Sequence, residues 1–249
     1  MDAKFYEEAE LLIKLLKTGT TSDKLIEKLR NCNIYPLSNE TELIYVYTLY
    51  EEVLSINGFN EITIRNLFIP LKPIRELTYN RILGLTEDPK ILDVSAKLNN
   101  KKIENIKIIS PRKLSDYMYS FSIKMDFENK LNELEIYERE LKILLYNKLL
   151  KDKRGFLDLV RRFLDYPYLL IALGNHKLRP FLTSDQRIRI HGYSITEALG
   201  VEADKVNDKL IPIDYKIMER LKIENNSVKF LVNYPKVNKI YMILYKLDI

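Results

Sequence analysis

Scarcity of glycine constrains this chain more than any motif does. Seven glycines are spread over 249 residues. Tight turns draw on glycine for positive φ, so a chain this poor in it is expected to make few hairpins. The same scarcity argues against a phosphate-cradling loop, and neither G-x-G-x-x-G nor G-x-x-x-x-G-K-[ST] occurs. The expected fold class is mainly α with small β elements (α+β).

Apolar spacing supports that reading. Phe5, Ala9, Leu12, Ile13 and Leu16 recur at threes and fours over 2–17, and Gly19 ends the stretch. Thr21 or Ser22 can cap a second helix with Leu25, Ile26 and Leu29 inward. The same template makes helices of 41–56, 61–68, 73–83 and 88–98. It also makes a long helix from Asp126 or Asn129 to Leu149, with Leu131, Tyr137, Leu141 and Leu145 in register. Residues 103–109 and 121–125 read as short strands, and Ser110-Pro111 as a helix start. Glu140–Leu164 reads as the end of the long helix, a charged turn at Lys151–Gly155 and a new helix. Tyr168–Leu173 is wholly apolar and is expected to be buried.

The texture changes near Pro180. This gives a helical domain over 1–180 and a small winged-helix-like module over 181–249. In the module, Ser194–Leu210 has a helix–turn–helix look, with Ser194 and Glu197 as a capping box and Gly200 at the turn. Another helix follows at 214–221. Residues 228–232 and 239–245 then read as a hairpin. The second helix holds Glu202, Asp204 and Asp208 against two lysines, which suits protein docking better than reading DNA.

Charge is unevenly placed. The chain carries +5, but Lys148 to Arg189 holds ten basic residues against four acids. Lys148, Lys151, Lys153, Arg154, Arg161, Arg162, Lys177, Arg179, Arg187 and Arg189 are the candidate nucleic-acid-binding residues. Such clustering is an electrostatic footprint for phosphates.

Catalytic chemistry finds little footing. Cys32 is the only cysteine, so no intrachain disulfide and no cysteine-based zinc or iron–sulfur site can form. His176 and His191 have no acid–His–Ser pattern around them, and Asp126-x-Glu128 reads as a helix cap rather than a magnesium site. No catalytic residue, metal or cofactor is expected. No apolar run approaches the length of a membrane span, and the acidic first residues do not read as a secretory signal, so a cytoplasmic protein is expected. Gln186 is the only glutamine, and Lys and Glu abound; this is a thermophile signature that an AT-rich genome would also produce in part.

Four stretches carry a family resemblance. They are LIYVYTLYEEVLSINGFNEITIRNLFI, ILDVSAKLNNKKIE, YSFSIKMDFENKL and LLYNKLLKDKRGFLDL, all within or just past residues 43–157. Together they resemble the amino-terminal domain of the archaeal and eukaryotic DNA primase large subunit, with the family's pieces falling on Leu92–Leu98, Phe121–Leu131 and Leu145–Leu157. That family's carboxy-terminal domain holds a four-cysteine iron–sulfur cluster, which this chain cannot build. The resemblance implies a non-catalytic accessory subunit. It would bind the catalytic primase subunit or another replication protein and contact a DNA or RNA backbone. The alternatives are a winged-helix transcription regulator acting through 181–249, and a nucleic-acid-processing enzyme whose acids converge only in the fold.

Overall fold

The computed structural model describes residues 1–55, 57–84, 89–115, 118–146, 169–204 and 215–248. The first two elements are as expected. Helix α1 (Ala3–Thr18) starts on an Asp2 cap and ends at Gly19, which takes φ +68°. Helix α2 (Asp23–Asn31) is capped by Ser22, whose hydroxyl accepts from the Leu25 amide.

Every described helix or strand beyond them is a strand, and the mainly helical expectation is overturned. The strands are β1 (Leu43–Ser55), β2 (Phe59–Pro70), β3 (Ile74–Gly84), β4 (Lys90–Leu98), β5 (Lys101–Lys102), β6 (Asn105–Ser115), β7 (Met118–Leu131) and β8 (Tyr137–Tyr146). They continue as β9 (Leu169–Gly174), β10 (Thr183–His191), β11 (Ser194–Asp204), β12 (Tyr215–Arg220), β13 (Ile223–Glu224), β14 (Ser227–Asn233) and β15 (Lys239–Asp248).

Two physical causes explain the difference. The first is that asparagine replaces glycine at the turns. Asn99 and Asn100 take φ of +48° and +65° between β4 and β5, and Asn225 and Asn226 take +50° and +55° between β13 and β14. Asparagine is the side chain that best tolerates the left-handed region, so hairpins form without glycine. The second is double-sided burial. In β1, Ile44, Val46 and Leu49 pack under the helices while Leu43, Tyr50 and Leu54 face the other layer. A strand covered on both faces loses its alternation, and its unbroken apolar run also satisfies a helical template. The β-branched and aromatic content of LIYVYTLY decides for strand.

The carboxy-terminal third is corrected in the same way. Ser194–Asp204 is a strand rather than the first helix of a helix–turn–helix, and 215–220 is a strand rather than a helix. Residues 205–210 of the expected motif lie outside the described residues. The strands at 228–232 and 239–245 exist but are not a hairpin. β14 pairs with β10 and β13, while β15 pairs with β11 and β9.

Three sheets result. The largest runs β13-β14-β10-β1-β2-β8-β4-β5, the second β12-β11-β15-β9, and the third β3-β7-β6. Within the large sheet β1 and β10 pair in parallel, from Thr48 opposite Ser184 to Ser55 opposite His191. That pairing joins residues on either side of Pro180. The two helices cover one end of its outer face through Ala9, Leu12, Leu15, Leu25 and Leu29. The inner face meets the two smaller sheets in one core, which includes Phe68 and Leu141 from the large sheet. Ile243 and Tyr245 come from the second sheet, and Phe121 and Ile123 from the third. Gly200 of β11 marks the closest approach, because a Cβ there would stand 2.5 Å from the Phe230 ring.

A polar row crosses this apolar interior. Register sets Ser184, Thr48, Asn66 and Arg139 side by side on β10, β1, β2 and β8, and all four are buried. Asn66 donates to the Thr48 hydroxyl at 3.0 Å and accepts from Arg139. Beside the row, Glu52 of β1 holds Arg81 of β3 at 2.6 Å and accepts from the Tyr50 hydroxyl at 2.7 Å. This ion pair ties the third sheet to the first.

Candidate anion-binding cleft

Strand alternation builds the site. On β10, Ile188 and Ile190 point into the core, so Arg187 and Arg189 share the outer face. On β14, Val228, Phe230 and Val232 point inward and Lys229 points outward. Register places Lys229 opposite Arg187, Ser227 opposite Arg189, and Glu51 of β1 on the other side of Arg187. The Asn225-Asn226 turn folds β13 back along β14, with Glu224 opposite Ser227. Lys222 thereby joins the same wall. Glu51, Arg187, Arg189, Lys222, Glu224 and Lys229 line a cleft of about 400 Å³.

Asp185 fixes the geometry of the cleft. Its side chain is 3% exposed. It accepts from Arg187 Nε at 3.1 Å and Nη2 at 2.7 Å, and from the Tyr47 hydroxyl at 3.0 Å, with Lys229 Nζ at 3.4 Å. The hydrogen bond to this carboxylate raises Arg187 above the usual guanidinium value. Burial, then the charge of Asp185, pushes the Tyr47 phenol well above its usual value. Lys222 and Glu224 pair at 2.5 Å, which raises the lysine and lowers the acid. Arg189 differs from these. Its Nε donates to the Ser227 hydroxyl at 2.9 Å, and no carboxylate among the described residues pairs with it.

The ten candidates from the sequence are therefore divided. Arg187 and Arg189 come together in the cleft. Lys177 lies on the connection between β9 and β10, exposed, beside a smaller pocket of about 210 Å³ with Ser38, Thr41 and Pro180. Arg179 holds Glu42 at 3.0 and 2.9 Å. Burial acts to raise Glu42, but the hydrogen bond and charge of Arg179, with Lys72, keep it below the usual carboxylate value. Lys148, Lys151, Lys153, Arg154, Arg161 and Arg162 lie outside the described residues, as does most of Glu140–Leu164; its first seven residues belong to β8 rather than to a helix.

Lys222 and Lys229 were absent from the sequence list. A linear charge window ends before them, and only cross-strand pairing brings them to Arg187. The signal that could have found them is the Asn225-Asn226 pair followed by the alternation of Val228, Phe230 and Val232. Among the described residues, no three His, Cys, Asp or Glu side chains converge to hold a metal. No helix among them is long and apolar enough to cross a membrane.

No protein-family model matches this chain, and no curated protein matches it. Solved structures give weak likenesses. The M1 zinc metallopeptidase of Deinococcus radiodurans is 10% identical over 86% of this chain and 44% of its own, with a TM-score of 0.38. A mutant of it bound to a Tyr-Ser-Ala substrate is 10% identical over 81% of this chain and 42% of its own, with a TM-score of 0.39. The chain spans less than half the length of these proteins. The likeness is too slight to argue from, and it does not bear on a primase large subunit.

Proposed function

We propose that this chain is a binding module that takes an extended, acidic segment of a partner protein across the cleft of Arg187, Arg189, Lys222 and Lys229. One observation carries the reading: Arg187 and Arg189 stand at i and i+2 on the same face of one strand. Their Cα atoms are then about 6.8 Å apart, the repeat at which an extended peptide presents alternate side chains. Two acidic residues at alternate positions of such a segment would meet the two guanidinia in register. Arg187, whose Nε and Nη2 hold Asp185, would offer its Nη1 end, and Arg189, bonded only through Nε to Ser227, its two Nη groups, which can take a carboxylate through two bonds at once.

The acids in the wall favour a protein over a polyphosphate. Glu51 and Glu224 line the cleft beside the cations. A phosphate backbone with a charge at every residue would meet both of them, whereas a peptide can place neutral or basic side chains there. A nucleic-acid strand is the second reading, supported by the basic face of β10.

The test is fluorescence anisotropy of the full chain with a labelled Glu-rich peptide and, separately, a single-stranded oligonucleotide. The expected result is peptide binding that weakens about tenfold or more in Arg189→Glu/Lys229→Glu. Oligonucleotide binding with no peptide binding, lost in the same variant, would replace the protein partner with nucleic acid. If neither probe binds, or the variant binds as well as the parent, the cleft is not a recognition site.

A further inference from the structure

Arg139 has a geometry that the fold does not explain. It sits on the inner face of β8 and is 4% exposed. Its Nη2 donates to Asn66 Oδ1. Its Nε has no acceptor, and no carboxylate among the described residues pairs with it. A buried guanidinium with no counter-charge is unfavourable, and a fold that keeps one needs an anion near it.

Its surroundings add a second cation. Arg179 reaches the same seam from the connection into β10, where its Nη1 stands 3.5 Å from the Thr78 carbonyl on β3. Burial and the like charge of Arg179 both push Arg139 down, against the support of Tyr45. The charged groups facing the seam are thus Arg139, Arg179 with its partner Glu42, Lys72 on that same carboxylate, and the Glu52–Arg81 pair, in which each charge already has the other. Tyr45 and Tyr79 supply hydroxyls beside Arg139. Burial, then the charge of Glu52, holds the Tyr79 phenol above its usual value, so it stays neutral and cannot serve as the counter-ion.

We propose that the seam between the large sheet and β3 binds a small oxyanion, a carboxylate or a phosphate group, between Arg139 and Arg179. Arg139 offers its unpartnered Nε, and Arg179, whose Nε and Nη2 hold Glu42, offers its Nη1 end, while the phenols offer neutral donors to the remaining oxygens. This site lies toward the opposite end of β10 from the surface cleft and shares no residue with it. Its occupant is a small ion or a small molecule with one such group, since Arg139, Asn66 and Phe68 are all buried.

The experiment is thermal unfolding of the full chain at fixed ionic strength, with chloride replaced stepwise by inorganic phosphate or by acetate. A saturable rise in Tm with either anion is expected, because a ligand that binds only the folded state stabilises it in proportion to its occupancy. A response to phosphate alone assigns a phosphate group, and a response to acetate assigns a carboxylate. Arg139→Met should abolish the rise. Arg179→Gln, whose side chain is 35% exposed in the parent and so spares the core, should shift its midpoint about tenfold higher. The rise, and its loss in Arg139→Met, should persist in an Arg189→Glu background, where the surface cleft no longer favours an anion. A Tm indifferent to both anions overturns the proposal, as does a midpoint unmoved in Arg179→Gln.

Discussion

Arg81→Met tests whether the third sheet is held to the first by a buried ion pair. The substitution removes the guanidinium 2.6 Å from Glu52 Oε2 and keeps an apolar side chain of similar length. Glu52 is 3% exposed, so its carboxylate would be left in the interior with no cation. Removing one half of such a pair costs about 3–5 kcal/mol when the half left behind stays charged, and less when it can take up a proton. The cost should depend on pH. Burial pushes the Glu52 carboxyl up from 4.5 to about 8. Loss of Arg81 takes it higher. A carboxyl raised on folding holds its proton more tightly in the folded state. Its contribution to stability is full below about pH 4.5 and is lost as pH rises toward the folded value. Each pH unit inside that window is worth at most about 1.4 kcal/mol for one group. Glu52 is thus protonated in both proteins below about pH 8, and there the variant should lose only a hydrogen bond from a charged donor, about 1.5–3 kcal/mol; above pH 8 the parent ionises beside Arg81 and the variant does not, so the gap should widen by at most about 1.4 kcal/mol per pH unit. Urea unfolding at pH 5, 7, 8 and 9 measures this directly. Glu52→Gln/Arg81→Met lacks this titrating group, so its stability should not show the fall with rising pH that the parent shows between about pH 4.5 and 8. A gap between Arg81→Met and the parent that does not widen above pH 8, or a double variant that keeps the parent's fall below it, would refute the pairing.

Gly200→Ala should destabilise by about 1–3 kcal/mol, since the new methyl meets the Phe230 ring, and Phe230→Leu should recover much of that loss in the double variant by urea titration. Asn225→Val places a β-branched residue at φ +50° and should cost about 1–2 kcal/mol, whereas Asn225→Gly should be neutral or better, both read from thermal melts. Leu29→Ala, in α2 and 1% exposed, should cost about 2–5 kcal/mol while leaving binding in the cleft intact in the surviving folded fraction.

The helices were legible because their signals are local. Ser22 followed by Leu25, Ile26 and Leu29, and an apolar stripe ending at Gly19, need no distant partner to be read correctly. Strands β6 and β7 were also partly legible, from the alternation of Phe121, Ile123 and Met125. β1 and β8 were not. Their apolar residues recur at spacings that suit a helix as well as a doubly covered strand, and what covers their faces lies more than a hundred residues away in part. Glycine scarcity misled for a related reason: it limits turns only where no other residue takes positive φ, and asparagine does so here. The site was half legible. Arg187 and Arg189 stand in a run of positive charge, while Lys229 becomes their neighbour only through the pairing of β14 with β10.

That pairing also couples the cleft to the core. β10 alternates Arg187, Ile188, Arg189 and Ile190, so each cation is fixed by the buried residue next to it. Asp185, on the same strand, is held by Tyr47 from β1 and in turn holds Arg187 and Lys229. Tyr47 stacks on Phe5 of α1, with ring centroids 4.3 Å apart. A contact chain therefore runs from the first helix through Tyr47 and Asp185 to both cations. Cations placed this way keep the spacing of the strands beneath them, about 6.8 Å along β10 and about 4.8 Å across to β14. A site on loops would adapt to many partners. This one is set by the sheet and can match only a partner whose charges repeat on the same lattice, which is the property of another extended chain.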